Sequence, residues 1–196
     1  MRAILALFIA LAPTAVLAHT GTGDAHAHDL VHGFMHPIGG LDHILAMVAV
    51  GVFAFVLGGR AMLLVPLAFV AMMAVGFGLG IAGMDLPFVE LGIALSSIVI
   101  GGAAALGRPM PVAAAMSLVG VFAIFHGHAH GAEMPAGSSG LGYALGFIAA
   151  TALLHAAGIG AATGVSALAA RYGRPLARIA GGLFAVAGAG VLAGWL

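Results

Sequence analysis

The chain has 196 residues, 63% of them hydrophobic and 6% charged, with zero formal net charge and no cysteine. A mean hydropathy of +1.20 excludes a soluble domain with an ordinary polar surface, and the absence of a basic excess leaves nothing to recruit nucleic acid. Without cysteine there are no disulfides or thiolate sites, so any metal must be held by imidazole, carboxylate, thioether or backbone oxygen.

In chain order, residues 1–18 read as a cleavable signal peptide: Arg2, an apolar core from Ala3 to Ala12, Pro13, and the small-residue ending Val16-Leu17-Ala18. The alternative is an uncleaved first helix. Residues 19–35 form a polar leader holding His19, His26, His28, His32, Asp24 and Asp29. Such a segment either captures a divalent cation, with His19 at the mature amino terminus, or is simply flexible.

Residues 36–196 form the membrane domain. Six apolar stretches are predicted as helices over 37–57, 61–82, 87–106, 110–127, 141–169 and 177–195. All but the fifth are close to the ~20 residues a crossing needs, whereas barrel strands would be about half that and would alternate in polarity. The expected fold is therefore all-α and polytopic. The fifth stretch is too long for one straight crossing, so it should tilt, overshoot the bilayer or break near His155.

Alternating from an outside start, the chain puts Arg60, Arg108, Arg171, Arg174 and Arg178 in cytoplasmic loops. The acidic residues Asp24, Asp29, Asp85 and Glu133 fall outside, and both mature termini are periplasmic. Tyr143 and Trp195 should then lie near the outer interface and Tyr172 near the inner one. Glycine, at 32 residues, recurs four apart within the spans and is expected mainly to let helices pack closely.

Ten histidines are the anomaly in so apolar a chain. His36, Asp42 and His43 open the first span; on an unbroken helix the two rings would project from nearly one face. A second cluster, Phe125-His126-Gly127-His128-Ala129-His130-Gly131-Ala132-Glu133, closes the fourth span at the same membrane face. There His126 and His130 share a helical face and Gly127 and Gly131 would ease unwinding. Ionisable groups in spans default to a functional reading, and these six, His36, Asp42, His43, His126, His130 and Glu133, form the leading metal-ligand set. A second rank comprises His19, His128, Glu90, His155 and Met47. For these the structural readings stay open: a hydrogen-bonded carboxylate for Glu90, a helix bridge for His155, core filler for Met47.

The His-x5-Asp-His motif at 36–43 and the Phe-His-Gly-x-Ala-His-Gly-x-Glu motif at 125–133 resemble the two signatures of the HupE/UreJ family of nickel permeases. Signal, span order and size are similar too, so the resemblance covers the whole chain. It implies a secondary permease in the bacterial inner membrane that takes Ni²⁺, or Co²⁺, from periplasm to cytoplasm for hydrogenase or urease maturation. It also implies metal contact by His36, Asp42, His43, His126, His130 and Glu133. The expected partners are the ion, the lipid bilayer and a cytoplasmic nickel chaperone. No enzyme activity and no prosthetic group are expected. From the residues alone two rivals stand: an intramembrane zinc hydrolase using three histidines and Asp42, and a b-type haem protein with His43 and His126 or His155 as axial ligands.

Overall fold

The computed structural model describes residues 25–195; the signal peptide over 1–18 and His19 lie outside the described residues. Seven α-helices make up the described part: α1 (Ala25–Gly39), α2 (Leu41–Leu57), α3 (Ala61–Ile81), α4 (Val89–Leu106), α5 (Val112–Ala132), α6 (Gly140–Leu168) and α7 (Gly173–Leu192). Five of them, α3 to α7, are long and apolar enough to cross a bilayer, and α1 with α2 forms a sixth, broken candidate.

α2 is the centre of the bundle. It packs against α3, α4, α6 and α7 along its length and meets α1 at its start. A helix surrounded in this way must be apolar on every side, and Ala46, Met47, Ala49, Val50, Phe53 and Ala54 are all at most 1% exposed. Around it the closest pairs are α3 with α5, α4 with α7 and α1 with α6.

The α3–α5 contact explains the glycines of the second histidine motif. A Cβ at Gly127 would collide with the Met73 carbonyl, and one at Gly131 with the Phe77 carbonyl. α5 therefore runs as one helix through the motif to Ala132, and the glycines bring backbones together where unwinding was expected.

Three other expectations change. The segment read as a polar leader is helical from Ala25, and the first span is divided at Gly40, where the axis turns by 85°. Gly40 sits in the extended region, φ −104° and ψ 123°, so α1 leaves α2 and lies along α6. Asp29 fastens it there by accepting a 2.7 Å hydrogen bond from the backbone N–H of Ser139. Of the options for the long fifth stretch, a break near His155 is the one not taken, since α6 is continuous there. Tyr143 is fully buried, inside the bundle and not at a lipid interface.

Charge is segregated by end. Arg60, Arg108, Arg171, Arg174 and Arg178 lie at or just beyond the ends of helices on one side, where Arg178 Nε donates to the Ala105 carbonyl at 2.9 Å. Asp29, Asp42, Asp85, Glu90 and Glu133 all belong to the opposite end.

Candidate metal centre

The elbow at Gly40 creates the site. By turning α1 away from α2 it opens a cavity of about 510 Å³ at the acidic end, lined by His32, His36, Asp42, His43, Glu90 and Glu133 among others. Glu90 reaches it from the first turn of α4, just after Phe88, whose left-handed φ of 61° turns the chain into that helix. Glu90 is exposed in this vestibule and not a buried carboxylate. Glu133 terminates α5 and approaches His36, Oε2 to Nε2 3.5 Å.

Below the vestibule the histidines form a file. His36 meets His130 with ring centroids 4.9 Å apart, His130 meets His43 at 5.0 Å, and His43 meets His126 at 4.9 Å. The bend at Gly40 means that His36 and His43 are not on one helical face, yet both reach His130. His126 and His130 are fully buried.

Hydrogen bonding decides which ring nitrogen carries a free lone pair. His43 Nδ1 faces Asp42 Oδ1 at 3.0 Å, and an ionised carboxylate only accepts, so the proton is on Nδ1. The same oxygen accepts the His43 backbone N–H at 2.8 Å, which leaves Nε2 buried and unpartnered. For His126 the argument runs through Ser96. Its hydroxyl hydrogen is given to the Ile93 carbonyl at 2.6 Å, so its oxygen accepts from His126 Nε2–H at 2.9 Å, and Nδ1 is the unpartnered atom. Both nitrogens of His130 lack a protein partner as well. A carboxylate or hydroxyl that fixes the tautomer and aims the other nitrogen is how metal-ligating imidazoles are supported.

Among the described residues, no three of the His, Asp and Glu side chains are drawn close enough to hold one ion as they stand. The rings come in successive pairs, so the arrangement can offer a cation two imidazoles at a time and pass it along.

The second-rank residues separate clearly. His128 points away from the file: its Nε2–H donates to the Met84 carbonyl at 2.6 Å and ties the end of α5 to the turn after α3. Met47 is buried in the apolar core. His155 lies deeper in α6, and Phe69 neighbours both it and His126, with ring centroids 5.1 Å and 5.7 Å away respectively. The sequence reading left His32 in the leader, outside the ranked ligand sets, and gave no site role to Ser96 or Tyr143. His32 was detectable, being one turn before His36 on α1; Ser96 and Tyr143, the latter 6.0 Å from both His32 and His36, carried no signal in a one-dimensional reading.

Fold and site together define a multi-pass helical membrane protein with a buried imidazole file beneath an acidic vestibule. A family model described as HupE / UreJ protein matches residues 6–191. The chain is also 47% identical over 182 residues to Protein HupE of Rhizobium leguminosarum bv. viciae, covering 93% of this chain and 92% of that one. The chain belongs to the HupE/UreJ family. No solved structure is a significant match.

Proposed function

We propose that this chain is a secondary permease for a divalent transition metal ion, nickel or cobalt, moving it inward across the bacterial inner membrane. The observation that carries the reading is the file of His36, His130, His43 and His126 beneath a carboxylate-lined mouth, the last three with unpartnered buried ring nitrogens. Imidazole and carboxylate suit first-row divalent ions, and a path must bind firmly enough to admit an ion and weakly enough to release it. Pairwise rings meet that requirement better than a closed cage.

The inward direction is part of the proposal: the positive-inside rule would put the arginine end in the cytoplasm, which leaves the acidic mouth facing the outside supply. The ion enters the vestibule, loses water to Glu90, Glu133 and His36, and is handed to the deeper rings, Asp42 holding His43 in the receptive tautomer. A dication moving inward through ~100 mV gains about 4.6 kcal/mol, twice the single-charge value, enough for uptake without a nucleotide-driven motor. A cytoplasmic nickel chaperone would take the ion at the arginine end, and no enzymatic step is needed. A zinc hydrolase, by contrast, needs three ligands closed on one ion with a position left for water. A haem needs a slot for a macrocycle between its axial rings, while His43 and His126 sit edge to face.

The test is flux in proteoliposomes enclosing a metal-sensitive dye. Saturable uptake of Ni²⁺ or Co²⁺, accelerated by an inside-negative potential and abolished by Asp42→Ala or His43→Ala, is expected. Wild-type protein giving the same leak as empty vesicles would defeat the proposal.

A further inference from the structure

α1 has one face committed to the bundle and one left free. Gly33 and Gly146 bring α1 and α6 into backbone contact: a Cβ at Gly33 would collide with the Tyr143 carbonyl, and one at Gly146 with the Leu30 carbonyl. With Asp29 also held by the Ser139 N–H, the rotation of α1 about its own axis is fixed. The face turned away from α6 carries His28, Val31, His32 and Met35, all exposed.

Two residues four apart on a helix stand on one face, with Cβ atoms about 5–6 Å from each other. This is the spacing with which two histidines of one helix hold a single zinc ion in the His-Glu-x-x-His motif. α1 is continuous from Ala25 to Gly39, so His28 and His32 have that spacing. Both line a cavity of about 320 Å³ between α1 and the loop before α6, together with Asp29, Met35, Pro135 and Ser138. Imidazole, carboxylate and hydroxyl are donors that suit a first-row divalent ion.

The position of this cavity separates the pair from ordinary solvated histidines. His32 and Met35 also line the vestibule, so the two cavities adjoin. His32, like His36, has its ring centroid 6.0 Å from that of Tyr143. α1 thus carries histidines in three successive turns, at 28, 32 and 36, which lead from its outer wall to the head of the buried file. Two imidazoles chelate an ion while leaving its other positions to water, and such a partial shell binds and releases readily.

We propose that His28 and His32 form a two-imidazole site for a divalent transition metal ion on the outer wall of the vestibule, which loads the mouth through His32. The loading role rests on the permease reading; the metal binding does not. The test is Ni²⁺ protection of individual histidines from carbethoxylation, read by mass spectrometry on the purified protein, alongside flux in proteoliposomes. In wild type, Ni²⁺ should protect His28 and His32 over one concentration range, and the pair should stay protected in His43→Ala, whose inner file is impaired. His28→Ala removes the second arm of the chelate, so protection of His32 should need about tenfold more Ni²⁺. The same variant should raise the half-saturating concentration for flux severalfold with maximal flux and thermal unfolding unchanged. Protection of His28 and His32 at separate concentrations in wild type, or protection of His32 unmoved in His28→Ala, would overturn the site. Joint protection with an unchanged half-saturating concentration would overturn the loading role. Wild type without flux would defeat the permease reading and the loading role with it, while the protection pattern still decides the metal site.

Discussion

Gly40→Ala isolates the contribution of imidazole orientation, because the backbone there suits alanine while the surrounding space does not. With φ at −104° the residue pays no left-handed penalty. A Cβ at this position would however stand 2.7 Å from Asp42 Oδ1 and 3.1 Å from His43 Nδ1, the first about 0.7 Å short of ordinary contact. The carboxylate is the softer of the two and rotates away, breaking its bonds to the His43 backbone and ring. The fold loses little, since Asp42 gains water in the vestibule; stability should fall by about 1 kcal/mol or less. The site loses more: without its carboxylate partner His43 is free to change tautomer, and loss of such support typically costs 10–100-fold in metal affinity. Co²⁺ titration followed by visible absorption, alongside thermal unfolding in detergent, separates the two effects. Wild-type affinity in a folded Gly40→Ala protein would refute the claim that Asp42 acts by aiming His43.

Ser96→Ala removes the acceptor that fixes the His126 tautomer; Co²⁺ affinity should drop about tenfold while the apolar packing stays, as unchanged thermal unfolding would show. His128→Ala should leave ion binding intact and destabilise the protein by about 1–3 kcal/mol, because the Met84 carbonyl loses its donor; a binding defect equal to that of His130→Ala would contradict its placement outside the file. Asp29→Ala unfastens α1 from Ser139, and amide exchange should quicken across α1 and the start of α6 with the other helices unaffected.

Much of this architecture is legible in one dimension because membrane helices announce themselves by length and hydropathy, and the arginines mark one end independently. The two histidine motifs were also readable, since His126 and His130 lie four apart and share a face while His128 between them turns the other way. What sequence withheld was geometry between elements. The elbow at Gly40 arises from one extended residue in an otherwise helical run, and periodicity cannot distinguish it from a straight entry into the span. That same elbow converts the apparent leader into a wall of the vestibule and brings in His32. Gly127 and Gly131 read equally well as points of unwinding or of close contact; only the position of α3 decides. Ser96, a small polar residue in an apolar helix, acquires meaning solely from the imidazole opposite.

The segregation of acids and arginines to opposite ends has a kinetic meaning as well as a topological one. Fixed charge cannot change the final distribution of an ion between two compartments, which the electrochemical gradient alone sets. It does change the two loading rates unequally. Carboxylates around one mouth concentrate cations there and raise the encounter rate, while arginines around the other repel them. If the chain is the carrier proposed above, it would fill rapidly from a scarce supply and refill slowly from behind, behave as a rectifier far from equilibrium, and lose that bias as salt screens its ends.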